Sequence, residues 1–530
     1  MNRCNSRIVF THISAEDVKK KLSSLNPDKS IGPDDVHARL LMELAEHLAE
    51  PLSALFNETM KRGKIPTDWK QAFISSIFKK GSRSHAENYR PISLTSIVCK
   101  VMESFIRDAI LEHMTQHGLL SPKQFGFITG RSTVTQLLVY LDKCADMVAK
   151  GKVVDSIYLD FQKAFDTVPH RRLMKKLQAY GISGPVLDWI SEYLNSRTQV
   201  VVVNGEKSFE APVISGIPQG TVLGPLLFVV YINDLLDNIS SHGLMYADDT
   251  KIFRQISSQS DANALQLDIQ KLEEWTEKWL LRFHPDKCHV LSLGKIENTM
   301  HTHRYRICQQ EMEHVFEEKD LGVTFDSDLS FSEHIADKIN KANAITGLIR
   351  RSFTFLDCES FIKLYCAVVR PHVEYGQSIW SPHLMKNIDA IENVQMRATK
   401  LVDGLQNLSY SERLQKLNLP TLVYRRLRGD LIELYKHVHT YDPDTMAPSF
   451  QRRFRPSRKH EYQLHLPVPN DGIRGVQANS FHYRIPKIWN NLPQHVVGAT
   501  SLDLFKTRLD ELWKNQPIKF DHRATLQSDL

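Results

Sequence analysis

At 530 residues the chain is too long for one ordinary domain, and a composition of 42% hydrophobic and 24% charged residues excludes wholesale disorder. The net charge of +6, from 67 Lys and Arg against 61 Asp and Glu, permits nucleic-acid binding without requiring it, so local clustering has to decide. Seven cysteines without a C-x-x-C pair exclude a zinc knuckle and a disulfide framework and point to a reducing intracellular compartment, cytoplasm or nucleus. The first ten residues lack the apolar core of a signal peptide, and no run approaches the ~20 apolar residues of a membrane span, so no membrane is expected as a partner.

Ser14-Ala15-Glu16-Asp17 reads as a helix start with a capping hydroxyl and an acidic first turn; Val18, Leu22 and Leu25 follow at helical spacing and Pro27 ends it. Beyond the turn-rich joint Asp28 to Asp34, one amphipathic helix is predicted through Leu40, Leu41, Leu44, Leu48 and Leu52 to Phe56. Lys79-Lys80-Gly81-Ser82-Arg83 and Asn88-Tyr89-Arg90-Pro91-Ile92-Ser93-Leu94 place cations and glycine beside an extended segment, which in an arbitrary protein is most often a solvated loop. Gly130-Arg131-Ser132-Thr133 opens a helix with Leu137, Leu138 and Leu141 on one face.

Val153 to Phe161, V-V-D-S-I-Y-L-D-F, has strand character and ends on Asp160, a charge that costs several kcal/mol in a buried strand unless it is compensated. Ser215-Gly216-Ile217-Pro218-Gln219-Gly220 is a tight loop whose backbone can approach a ligand closely, with an apolar helix behind it. Leu244 to Phe253 reads as two short strands joined by a turn that carries Asp248 and Asp249. An isolated Asp-Asp pair is more often a turn than a site. With Asp160 added, the oxygen donors suit Mg²⁺ in the layout of a two-metal phosphoryl-transfer centre. Further on, His284-Pro285-Asp286-Lys287-Cys288 forms a polar loop and Asp320 to Phe325 reads as a strand. Ile335, Ile339, Ala342, Ile345 and Leu348 form a helical stripe closed by Arg350 and Arg351. From Phe361 the pattern is helical, with a break over Arg370 to Gly376 and another helix over Val394 to Val402. Arg425, Arg426, Arg428, Arg452, Arg453, Arg455, Arg458 and Lys459 are interleaved with Tyr424, Phe454 and Tyr462; the mix suits a nucleic-acid backbone and unpaired bases, and equally a charged linker.

Tyr246-Ala247-Asp248-Asp249 together with Asp160 resembles the reverse transcriptase family, and more narrowly the polymerases of non-LTR, LINE-type retrotransposons of the CR1- and jockey-like branch. The resemblance runs from about Ile31 to the C-terminus, with several motifs in the family's order. It implies an α+β, right-hand polymerase fold plus a mainly helical C-terminal region. The domains follow as an N-terminal helical extension (1–59), fingers and palm (60–325), thumb and helical connection (326–440) and a basic C-terminal region (441–530). It also implies an RNA-directed DNA polymerase that extends a primer 3′-hydroxyl with dNTPs on an RNA template, with DNA as primer or target, using two Mg²⁺ ions or Mn²⁺ in their place.

By the same resemblance Asp160, Asp248 and Asp249 hold the metals, and Lys287 matches the position that protonates pyrophosphate. Lys80 and Arg90 neutralise the triphosphate, and Phe165 sits under the sugar and excludes a 2′-hydroxyl. Gln219 and Gly220 lie at the forming pair, while Asp166 is structural. Arg131 touches the template, Gly322 lies in the strand that grips the primer, and Arg350, Arg351, Arg452 and Arg453 are backbone contacts. A decayed or domesticated copy would keep the fold and bind RNA without catalysis, but intact aspartates, Gln219 and Phe165 weigh against that. A group II intron maturase would share the aspartates; the F-Q-K-A-F-D and Y-A-D-D-T forms favour the retrotransposon. Relatives of this branch carry an endonuclease ahead of the polymerase, for which 31 residues before Gly32 leave no room, and no RNase H pattern follows. The chain therefore reads as a truncated copy or fragment that cannot itself nick a target, with no protein partner indicated.

Overall fold

The computed structural model describes residues 3–10, 12–294, 303–440, 450, 452–453, 459–466 and 476–527. Helix α1 (Ala15–Ser23) starts where its cap directs, with the Ser14 hydroxyl accepting from Asp17 N at 3.1 Å. The stretch after it forms two helices, α2 (Ala38–Glu43) and α3 (Ala45–Arg62), where one was expected. The chain breaks at Leu44, so that Leu41, Ala45, Ala49 and Phe56 turn inward while Leu40 and Leu44 face solvent. Strands β1 (Gln71–Phe78) and β2 (Tyr89–Leu94) form an antiparallel hairpin, and helices α4 (Ile97–Gln116) and α5 (Thr133–Ala149) precede β3 (Val153–Leu159). Strand β4 (Arg197–Val203) pairs in parallel with β1, and the short β5 (Glu206–Lys207) and β6 (Ala211–Val213) complete that sheet in the order β2-β1-β4-β5, with β6 also on β4.

The second sheet positions the candidate site. Its strands β7 (His242–Tyr246), β8 (Asp249–Ile256) and β9 (His289–Leu293) join β3 in the order 313–315, β9, β3, β8, β7. Pairing is antiparallel except at the edge strand Glu313–Val315, which runs parallel to β9. All seven residues of β3 are buried because helices cover both faces, and alternation then sorts the side chains. Ile157, Leu159, Ile252 and Val290 pack with α4 and with the helices Gly224–Ile232 and Gln259–Trp279. Val154, Tyr158, Phe253 and Leu291 pack with α5 and the C-terminal helices. Each such aliphatic side chain contributes about 1.5–3 kcal/mol. The carboxylate that this buried strand has to compensate is Asp155, which accepts from Ser292 Oγ and Tyr305 Oη, each at 2.7 Å. Asp160 stands one residue past the strand end with its side chain 38% exposed, which corrects its reading as a charge inside the strand.

Residues 320–325 are two strands, Glu317–Asp320 and Val323–Asp326, closed by the turn Leu321-Gly322. In the helix Ser332–Ser352 the expected residues Ile335 and Ala342 are buried, with Ile349, His334 and Thr346 beside them, and Ile339 and Ile345 pack half-buried on the same core, whereas Leu348 is exposed. Arg370–Glu374 is helical, entered through a π turn over Tyr365–Val369 that accommodates Pro371; the break is confined to Tyr375 and Gly376. All seven cysteines are free, and no helix among the described residues is long and apolar enough to cross a membrane.

Candidate active site

The β7–β8 hairpin closes through two residues, Ala247 and Asp248, with Tyr246 paired to Asp249. Asp249 is therefore the first residue of β8 and only Asp248 lies in the loop. Such a loop requires positive φ, and Ala247 adopts φ 53°, a conformation that costs a residue other than glycine on the order of 1–3 kcal/mol. The segment 123–126 is moulded around it. Gln124 Oε1 accepts from Ala247 N at 2.9 Å and from Gly126 N at 2.8 Å, while Phe125 N donates to Met245 O and Met245 N to Lys123 O. A Cβ on Gly126 would lie 2.4 Å from Ala247 N, so only glycine fits there. Gln124 belongs to the site as the support of its turn, a role with no local signal in the sequence beyond the neighbouring glycine.

Leu159 pairs with Thr250, and one further step of that register sets Asp160 beside Asp249. The chain after Asp160 is strapped down: Phe161 stacks on Phe283 with ring centroids 4.6 Å apart, and His284 N donates to Asp160 O at 2.8 Å. The strap also delivers Lys287, whose Nζ lies 3.4 Å from Asp160 Oδ2. Burial, and then the Asp160 charge, raise the Asp248 carboxyl above its ordinary value, against the pull of Arg90 and Lys79. Asp249, although its own side chain reaches solvent, is pushed up to about 7, first by desolvation from the protein packed around it and then by Asp248, Asp320 and Asp160. Negative charge in this corner thus exceeds what its surroundings neutralise, which suits a divalent cation. Among the described residues no three His, Cys, Asp or Glu side chains stand close enough to enclose a metal by themselves. An open site of this kind fits Mg²⁺, which takes one or two carboxylates and completes its shell with water and phosphate oxygens.

The cations that act on Asp248 include Arg90 and, after it, Lys79, a residue the sequence reading did not single out. Ile77 pairs with Arg90, and the ladder continues through Lys79 N to Asn88 O at 2.8 Å, which sets Lys79 on the Arg90 face, with Lys80 next to it in the bend. The glycine loop lies against the same hairpin, with Ser93 N donating to Gln219 O at 2.7 Å. A Cβ on Gly220, which has φ 95°, would meet Ser93 O at 2.9 Å. Gln219 Nε2 donates to Asp166 Oδ1 at 3.1 Å, which ties the loop to the chain after Asp160. Glu103, fully buried on α4, accepts from Val222 N and Leu223 N at 2.8 and 2.9 Å and anchors the far side of the loop. Phe165 stacks on the buried Phe228, centroids 4.4 Å apart.

The remaining predicted residues divide. Arg131 turns back on its own loop, donating to Ser121 O at 3.0 Å and to Gln124 O, with its guanidinium over the Phe125 ring. It thus braces the 121–131 loop. Gly322 lies in the 321–322 turn, and Arg350 and Arg351 are exposed at the end of the helix Ser332–Ser352. Arg425 pairs with Glu374, Arg428 pairs with Asp510 through two nitrogens, Arg426 is buried, and Tyr424 is buried against Trp513. Arg426 and Tyr424 are thus committed to the interior, whereas Arg425 and Arg428 are half-buried and held in ion pairs. Arg452 donates to Val438 O at 3.3 Å and lies over Tyr462, and Arg453 N donates to Gln463 O at 2.9 Å. Arg455, Arg458 and Phe454 lie outside the described residues.

Residues 77–336, which contain the aspartates, the glycine loop and Lys287, match the family described as reverse transcriptase (RNA-dependent DNA polymerase). The chain is 28% identical over 410 residues to the probable RNA-directed DNA polymerase from transposon BS of Drosophila melanogaster, an alignment covering 74% of this chain and 44% of that protein. It is 27% identical over 408 residues to the RNA-directed DNA polymerase from mobile element jockey of the same fly, with the same coverage. To the probable RNA-directed DNA polymerase from transposon X-element, also of Drosophila melanogaster, it is 27% identical over 392 residues, 72% of this chain and 42% of that protein. The chain thus spans less than half the length of these curated relatives. Residues 77–336 thus match the reverse transcriptase family, and most of the chain is similar to the RNA-directed DNA polymerases of the BS, jockey and X-element transposons.

Proposed function

We propose that this chain is an RNA-directed DNA polymerase that adds dNTPs to a primer 3′-hydroxyl on an RNA template. The observation that carries the reading is the meeting of Asp160 and the Asp248-Asp249 turn at one end of the central sheet, within electrostatic reach of Arg90 and Lys79 on the neighbouring hairpin. In this reading the β1–β2 sheet forms the fingers, the central sheet the palm and the helix Ser332–Ser352 the thumb. Asp160 and Asp248, with Asp249 beside them, would hold the divalent ions, whose contribution is to stabilise charge on the phosphate oxygens and the attacking hydroxyl during in-line displacement. Arg90 and Lys79 bind and orient the triphosphate by charge-assisted contacts. Lys287, beside Asp160, holds a proton within reach of the departing pyrophosphate. Exposed Arg350, Arg351 and Arg452, the last beside Tyr462, and half-buried Arg453 are offered to the nucleic-acid backbone. The test is incubation of the purified chain with a primed RNA, dNTPs and Mg²⁺: templated extension is expected, and its absence with a folded, RNA-bound protein rejects the reading.

Phe165 governs the sugar. A ribonucleotide differs by one hydroxyl, which an apolar pocket rejects only weakly unless a rigid group fills the space, and the Phe165 ring is stacked on Phe228. Phe165→Val should raise the kcat/KM ratio of rNTP to dNTP by at least about tenfold, ~1.4 kcal/mol, with dNTP use mildly impaired. Single-nucleotide incorporation by both proteins on one primed RNA measures it; an unaltered ratio assigns Phe165 to packing alone.

A further inference from the structure

Tyr375 sits at the break between two helices, where a solvent-facing residue would ordinarily serve only to turn the chain. Its hydroxyl instead donates to Leu321 O at 2.7 Å and, that proton used, shares a second hydrogen bond of 3.2 Å with Thr133 Oγ1 at the start of α5. Its ring closes over the Leu321-Gly322 turn so tightly that a Cβ on Gly322, which has φ 89°, would lie 2.9 Å from Tyr375 Cε1. Leu321 is in the left-handed region as well, at φ 45°, so the turn needs outside support. Tyr375 is itself held, its carbonyl accepting from Trp380 Nε1 at 2.8 Å, and it lies within electrostatic reach of Tyr246, which leads into the Ala247-Asp248 turn. On the other side of the same hairpin, Asp320 pairs with Lys251 on β8, two residues beyond Asp249. The hairpin is thus fixed twice, to the strand of Asp249 through Asp320 and to the mouth of α5 through Tyr375.

We propose that Tyr375 is a positioning residue that sets the Leu321-Gly322 turn against α5 and the Ala247-Asp248 turn, and thereby places the primer 3′-hydroxyl for attack. The proposal rests on the reading of this hairpin as the element that grips the primer. A hydroxyl displaced by a fraction of an ångström reacts slowly while the duplex stays bound, because orientation and binding are separate contributions to the rate. Tyr375→Phe keeps the ring and removes only the two hydrogen bonds. In the full-length protein, with a primed RNA oligonucleotide and saturating dNTP, it should lower single-nucleotide kcat about tenfold, while primer–template Kd, dNTP KM and Tm stay within about twofold or a degree or two. Thr133→Val should give a smaller loss in kcat, and the double variant should be no slower than Tyr375→Phe.

A wild-type kcat in Tyr375→Phe together with slowed Gly322→Ala overturns the role of Tyr375 and leaves the hairpin reading standing. Wild-type kcat in both overturns the hairpin reading and the proposal with it. Parallel losses of Tm and primer affinity in Tyr375→Phe would make the residue a structural support and reject the proposal. Should that variant fail to fold, Thr133→Val, which leaves the ring in place, decides: unchanged kcat rejects the proposal.

Discussion

Asp248→Asn is expected to lower primer extension by roughly 10³-fold or more while leaving the fold and RNA binding intact. Asn serves in a hairpin loop as readily as Asp, and the exchange preserves the shape of the side chain, so the Ala247-Asp248 turn and its support by Gln124 should persist. What disappears is one negative charge from a site that collects charge. Asp248 is held above its ordinary pKa by burial and by Asp160, an unfavourable arrangement that a divalent cation turns favourable, and Asn removes that partnership. Metal stabilisation of a phosphoryl transition state is worth several kcal/mol, and each ~1.4 kcal/mol is tenfold in rate. Asp160→Asn should behave alike, with Lys287 also losing its 3.4 Å partner. Asp249→Asn should cost less, because its side chain opens to solvent from the first position of β8. Primer extension with an RNA-binding control and Tm measures all three. Extension by Asp248→Asn within tenfold of wild type would remove the aspartate turn from the catalytic assignment.

Asp320→Ala should cost about 3–5 kcal/mol of stability, a loss of structure where the preceding substitution loses chemistry. Lys251 and Asp320 are 3% and 7% exposed, and the carboxylate is the ion-pair partner of the Lys251 ammonium, which also lies over the Tyr140 ring at 4.7 Å and within electrostatic reach of Asp249. Breaking a buried pair from one side strands a charge in a low dielectric, which is far more costly than the net value of the pair. The same physics predicts recovery: Lys251→Met with Asp320→Leu leaves no charge behind, and should regain most of the loss while leaving the hairpin without its electrostatic tie to β8. Denaturant unfolding of the three proteins compares them. A cost below about 1 kcal/mol for Asp320→Ala would mean that water or another group reaches Lys251.

Much of the candidate site is legible in the chain: the aspartates at 160, 248 and 249, the glycine loop, the aromatic at 165 and the lysine at 287. So are the start of α1 at Ser14, the helix after Gly130 and the strand before Asp160. These depend on interactions that span only a few residues, such as a hydroxyl capping an amide three positions on or a period of two meeting a buried sheet, so a one-dimensional pattern carries them. Partnership is different. That Lys79 joins Arg90 in acting on Asp248 depends on the register of β1 against β2. That Arg425 and Arg428 serve Glu374 and Asp510 depends on carboxylates 51 and 82 residues away. Gln124 supports a turn 123 residues further on, and Asp155, unremarkable in its strand, is the fully buried carboxylate there. A charge in the sequence is a demand for compensation, and which distant group meets it is known only when the chain has closed. The sequence by itself therefore determined the chemistry this protein carries and the local elements that bear it, whereas tertiary structure alone decided which charges face the site and which are consumed in holding it, because ion pairs and buried hydrogen bonds are contacts between segments that only folding brings together.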